Sequence, residues 1–178
     1  MTPTDRKLTE WMSAYQRGDR EAFRQLYRHL APRLRGYLIS LSLNVSLAED
    51  LLQETFLQIH RSRHTYRAPL PVVPWAFAIA RNGYRMERRS FFRKRRPELE
   101  LAALEELPLD RIVSHERVLE LRNAVAGLRQ DWREALLLHH VWGLRFKEIG
   151  GMLGIAEGAA RLRAYRGLEE LRKLIITT

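Results

Sequence analysis

Three observations predict an all-α chain built as two small helical domains. Nearly every segment of the 178 residues has helical rather than alternating apolar spacing, and strand signals such as Asn-Gly turns between Val/Ile-rich runs are missing. The composition also changes sharply once. From Arg81 to Arg96 there are eight basic residues and one acid, Glu87, whereas Pro97 to Asp110 holds five acids and no base. "PELELAALEELPLD" has the prolines and charge of a tether, which sets domains at residues 1–96 and 114–178 with an acidic linker at 97–113. Units of that size can each bury a modest core.

A first helix is expected from Leu8 to Arg17, ending at Gly18. Asp19 then caps a longer helix whose apolar stripe is Ala22, Phe23, Leu26, Tyr27 and Leu30. A third helix runs from about Leu47 to Arg63, with Ser46 and Glu49 in the spacing of a capping box. "HTYRAPLPVVP" has prolines at 69, 71 and 74 and reads as an ordered loop, after which a fourth helix starts near Pro74 and continues towards Arg96. Beyond the tether, Val118, Leu119, Leu121 and Val125 mark an amphipathic helix from Ser114 to about Ala126. Asp131 and Glu134 suit another capping box at the head of "WREALLLHHVW", which stops at Gly143. Two shorter helices follow, Phe146 to Met152 and Ala156 to Lys173.

Composition narrows the function. There is no cysteine, which excludes disulfides and thiolate zinc sites, zinc fingers included. No apolar run approaches the roughly 20 residues that span a bilayer, and the polar start "MTPTDRKLTEWMSAYQ" lacks a signal peptide's apolar stretch, so a cytoplasmic location is expected. The net charge of +10 favours a polyanionic partner, without choosing among DNA, RNA and anionic lipid.

The last two helices have the form of a helix-turn-helix, in which a short glycine-containing turn lets the second helix lie in the major groove. Ile149, Met152 and Leu153 supply an inward face, Gly154 the turn, and Ile155 the plug at the corner. Ala160, Ala164, Leu168 and Leu171 then face inward and leave Arg161, Leu162, Tyr165 and Arg166 outward or at the flank. Groove arginines can pair with guanine or neutralise phosphates. The plain alternative is an ordinary helix pair with solvated arginines.

In "WAFAIARNGYRMERRSFFRKRR", rings and basic residues interleave, as suits unpaired nucleic acid: rings stack on bases while arginines hold the backbone. A solvated basic face over a core stripe would give the same pattern. In "AEDLLQETF", Asp50, Gln53, Glu54 and Leu57 fall at i, i+3, i+4 and i+7 on one helix face, with Leu52, Phe56 and Ile59 turned to the core. Such a face can receive a partner's basic helix, or be solvated surface.

In order and spacing, "AEDLLQETFLQIHRS", "PWAFAIARNGYR" and "LRQDWREALLLHHVWGLRFKEIGGMLGI" resemble the successive signatures of bacterial RNA polymerase sigma factors of the two-domain extracytoplasmic-function group. The resemblance spans roughly residues 8 to 95 and 114 to 173. It implies that Asp50, Gln53, Glu54 and Leu57 face a coiled coil of core RNA polymerase. It also implies that His64, Tyr66 and Arg67 in the loop, and Trp75, Arg81, Asn82, Arg85 and Arg88 on the helix, capture the melted -10 promoter element. Arg161, Arg163, Tyr165 and Arg166 are implied to read the -35 element as duplex DNA, and the tether to thread the polymerase interior. Family members are commonly held inactive by an anti-sigma factor, often membrane-bound, so such a partner is expected here.

The chain departs from that pattern. Relatives commonly carry alanine where Gly150 stands, serine where Ala156 stands, and Thr-Val-Lys-Ser where this chain has Ala159-Ala160-Arg161-Leu162. The lost hydroxyls remove a helix cap and polar contacts to DNA, and each helical glycine costs roughly 0.5 to 1 kcal/mol.

Enzyme readings find no support: no phosphate-binding glycine loop, nucleophile elbow or metalloprotease signature occurs. No catalytic residue, cofactor, metal or small-molecule substrate is expected. His60 and His64 have the i, i+4 spacing of a metal pair but no third ligand, and His139 and His140 point to different faces. The remaining alternative is a helix-turn-helix repressor or activator that does not enter polymerase, which would have no need of the face at Asp50 to Glu54.

Overall fold

A computed structural model of the chain describes residues 3–91, 105–106 and 118–176. All regular structure among them is helical. Helices α1 (Pro3–Gln16), α2 (Arg20–Ser42), α3 (Val45–Ser62) and α4 (Val72–Phe91) form the N-terminal half. Helices α5 (Val118–Gly127), α6 (Gln130–His140), α7 (Phe146–Leu153) and α8 (Glu157–Ile176) form the C-terminal half. Most of the expected tether, the end of the fourth helix beyond Phe91 and the start of the fifth before Val118 lie outside the described residues.

Local chemistry sets the helix ends. Gly18 takes a positive φ of 99° after α1, and Asp19 then caps α2 by accepting from the backbone of Glu21 at 2.8 Å and Ala22 at 3.1 Å. α2 passes through Pro32 and ends at Leu43, whose left-handed φ of 51° is an uncommon conformation for a branched side chain. The burial of Leu43 offsets that cost. The cap of α3 is Asn44, not Ser46. Its side-chain oxygen accepts from Leu47 N at 2.6 Å, while Glu49 turns away to pair with Arg35. α4 begins two residues before Pro74, which stands in the first turn, where its missing N–H costs nothing.

The core of the N-terminal half is built where α1, α2, α3 and α4 cross, around Leu8, Met12, Leu26, Leu30, Leu34, Ile59 and Phe77. Fully burying each such side chain is worth about 1.5–3 kcal/mol. In the C-terminal half, α6 and α7 pack on α8 through Leu137, Leu138, Ile149, Ala160 and Leu171. The two halves share one continuous apolar cluster. α6 docks on α2 and α7 on α4, and Tyr37, Phe77 and Trp142 close the junction with ring centroids 4.8 to 5.9 Å apart.

Glu134 overturns the expected second capping box. The helix starts at Gln130, so Glu134 lies too far along to cap it, and the carboxylate is buried between the halves instead.

Candidate functional site

Three surfaces carry the residues singled out by the sequence. On α3, Leu51, Leu52, Thr55, Phe56 and Ile59 are buried, so helical geometry puts Asp50, Gln53, Glu54 and Leu57 together on the opposite, exposed face. Leu57 is 51% exposed beside the two carboxylates. Glu54 accepts from Gln58 at 2.6 Å and lies 3.9 Å from Arg61. Tyr27, expected in the core stripe of α2, is instead 45% exposed, and its ring lies 4.5 Å from that of Phe56. At the head of α3, Arg35 bridges Glu49 and Glu106, which brings the described part of the tether alongside.

The second surface is the loop before α4 and α4 itself. His64 and Arg67 are exposed, whereas Tyr66 is only 4% exposed. The Tyr66 hydroxyl donates to the Leu70 carbonyl and its ring meets Trp75 edge-on at 5.5 Å. Burial pushes its phenol above the ordinary range. Tyr66 therefore anchors the loop from inside and offers no face to DNA in this arrangement. Gln16 of α1 fastens the same loop, donating to the carbonyls of Arg63 at 2.7 Å and Tyr66 at 2.9 Å. Sequence spacing carried no sign of that role, because the contact joins positions about 50 residues apart.

On α4, Asn82, Arg85 and Arg88 are exposed and Trp75 is half-buried. Arg81 is largely withdrawn from solvent. Its Nε donates to Glu134 Oε1 at 2.7 Å, and the two side chains are 13% and 6% exposed. Arg88 donates to Gln130 of α6, and Gln130 donates in turn to the Tyr84 hydroxyl at 3.2 Å. A cleft of about 480 Å³ opens here, lined from α4 by Arg81, Arg85 and Arg88 and from the C-terminal half by Arg129, Glu134 and Arg163.

The third surface is the α7–turn–α8 unit. Gly154 takes φ 69°, the left-handed cap that ends α7, and Ile155 N donates back to Gly150 O at 3.0 Å. A Cβ on Gly150 would stand 2.8 Å from the Ile155 carbonyl oxygen. The glycine that looks costly in a helix is thus what lets this turn fold back so closely. Ala160 and Ala164 are buried as expected, which throws Arg161, Leu162, Tyr165 and Arg166 outward. Arg161 is held over the Phe146 ring at 5.5 Å and beside Glu157 at 3.3 Å, and Phe146 stacks on His139 at 4.1 Å. Arg163 lies partly under the helix, 3.8 Å from Asp131.

Tyr15 hydrogen-bonds His60 Nδ1 at 2.5 Å, and among the described residues no group of three or more His, Asp or Glu side chains is placed to hold an ion. Among the described residues, no helix is long and apolar enough to cross a membrane.

These surfaces coincide with two family models: residues 26–96 match sigma-70 region 2, and residues 119–171 match sigma-70 region 4. The chain is 40% identical to the RNA polymerase sigma factor CarQ of Myxococcus xanthus, over 92% of this chain and 95% of that one. The chain belongs to the extracytoplasmic-function sigma factors. It is also 34% identical to the ECF RNA polymerase sigma factor SigF of Caulobacter vibrioides, over 96% of this chain and 95% of that one. In fold, this sigma factor is similar to the sigma factor RpoE of Bartonella quintana, solved with the anti-sigma factor NepR, at a TM-score of 0.70 and 23% identity over 86% of this chain and 96% of that one. As a sigma factor it works with core RNA polymerase and promoter DNA in transcription initiation.

Proposed function

We propose that this sigma factor divides its work among the three surfaces, as domains 1–96 and 114–178 on a linker at 97–113. Asp50, Gln53, Glu54 and Leu57 on α3 bind the polymerase coiled coil. His64, Arg67, Trp75, Arg81, Asn82, Arg85 and Arg88 hold the melted -10 element, with Tyr66 holding their loop in shape. Arg161, Arg163, Tyr165 and Arg166 meet the -35 duplex. The observation that carries this reading is the acidic and apolar patch on α3. A chain of net charge +10 keeps two carboxylates and a half-exposed leucine together on one rigid helix face, which suits a basic helix and repels DNA. The basic surfaces supply the opposite preference: exposed arginines neutralise phosphates, and their contacts offset the few kcal/mol that unstacking a base costs.

The chemistry involves no bond-making by the sigma factor itself, so no catalytic residue or cofactor is assigned. Polymerase and chromosome place its action in the cytoplasm. An anti-sigma factor, membrane-bound or soluble, would silence it by covering the α3 patch and the arginines of α4.

The test is reconstitution. Core polymerase with the purified chain should start transcripts at discrete sites on genomic DNA whose upstream regions share two spaced elements. Tight binding of duplex operator by the chain alone, with no polymerase complex and no new start sites, would make it a repressor or activator instead.

A further inference from the structure

The loop assigned to the melted -10 element is held from outside itself, by a helix that the region 2 match, which begins at residue 26, does not reach. Gln16, the last residue of α1, is half-buried, and its Nε2 donates to the Arg63 carbonyl at 2.7 Å and to the Tyr66 carbonyl at 2.9 Å. Carbonyl oxygens only accept, so a side chain without a donor cannot take its place. One amide group thus spans the first part of the loop.

What these two bonds fix follows from the planarity of the peptide unit. A carbonyl lies in one plane with the nitrogen and Cα of the next residue. Holding the Arg63 carbonyl therefore orients the peptide that enters His64, and holding the Tyr66 carbonyl orients the peptide that enters Arg67. His64 and Arg67 are the two exposed loop side chains assigned to DNA. The loop's own backbone bonds are longer: Tyr66 N donates to Arg63 O at 3.3 Å, beyond the usual range, and Leu70 N to Arg67 O at 3.1 Å. Two helical turns earlier on the same face of α1, Thr9 Oγ1 stands 3.4 Å from the Tyr66 hydroxyl. The loop is backed by α1 at both places.

We propose that Gln16 is a positioning residue for promoter recognition: by holding the Arg63 and Tyr66 carbonyls it presets His64 and Arg67 to meet one unpaired base, and so sets the -10 base preference through the loop. The proposal rests on the assignment of this loop to the -10 element. Preorganisation is what links the geometry to selectivity. A loop ordered before DNA arrives spends no binding energy on ordering, whereas a loop free to rearrange can fit a wrong base nearly as well as the right one.

Gln16→Glu keeps the shape of the side chain but turns an acceptor towards two acceptors, and Gln16→Met keeps the length, adds no charge and has no donor. The full-length chains are each combined with core polymerase and transcribe two libraries built on a promoter that the natural chain starts, one randomised in the -10 element and one in the -35 element. In both variants, discrimination at the most selective -10 position should fall by at least about fivefold, which is within what two hydrogen bonds can hold. The -35 profile and the affinity for core polymerase should not change. Amide hydrogen exchange at residues 63–70 should quicken in both variants while α2 and α3 stay protected. An unchanged -10 profile in the folded variants, or unchanged exchange in the loop, overturns the positioning role and leaves the -10 assignment intact. So does a proportional loss of initiation on both libraries with neither profile altered, the mark of a merely structural residue. If the natural chain itself shows no base preference in the -10 library, the assignment of the loop falls and the proposal with it.

Discussion

At the start of α3 two residues competed for one role, and three-dimensional contact decided between them. Ser46 and Glu49 have capping-box spacing, yet Asn44 accepts the Leu47 N–H and Glu49 pairs with Arg35, fourteen positions away. Asn44→Ala should therefore cost about 1 kcal/mol in urea unfolding, and Ser46→Ala only a few tenths. Equal losses, or a larger one at Ser46, would contradict the assignment. Tyr66 and Arg81 were obscure in sequence for the same reason. An aromatic or an arginine in a basic stretch looks alike whether it stacks on a base, anchors a loop or pairs with a distant carboxylate. Gly150 was legible as a departure but not in its sense, because the oxygen its Cβ would meet belongs to Ile155, beyond the turn.

Whole elements were far more legible than single contacts. The periodicity of α3 separated its buried from its exposed residues, and the small residues of α8 fixed which arginines point out, because a helix face follows from spacing alone. What spacing could not supply was the surroundings of those arginines. Arg161 extends over Phe146, itself stacked on His139, so it is aimed before DNA arrives. Arg161→Ala should lower initiation that depends on the upstream element by about ten- to a hundredfold and relax its base preference, since one good bidentate contact is worth about 1–3 kcal/mol of discrimination. Transcription from a library of -35 variants measures both. An unaltered preference profile would remove Arg161 from the reading set.

For the molecule as a whole, the helical class, the helix order and the helix-turn-helix followed from composition and period, while the docking of the halves did not. Nothing in the sequence links Tyr37 to Glu134, ninety-seven positions away. That docking makes a pH prediction. Burial raises the phenol of Tyr37, and also those of Tyr15, Tyr66 and Tyr84, above the ordinary value of 10.0. A group raised on folding contributes its full stability below its unfolded value and loses it as pH climbs through the folded one. Stability should hold to about pH 10 and then fall. Tyr37→Phe should be weaker near pH 8, by about 1.5–3 kcal/mol for a hydrogen bond to a charged group, but should lose less above pH 10. Parallel melting curves from pH 8 to 11 would contradict this.

In the proposed division of surfaces the exposed face of α3 delivers the chain to polymerase, and binding affinity tests that role most directly. Titrating core polymerase with labelled chain, the double variant Asp50→Lys, Glu54→Lys should bind at least about tenfold more weakly than the natural sequence while keeping its helical content, because both charges now oppose a basic partner. Equal affinity in the folded variant would show that polymerase is met elsewhere on the molecule.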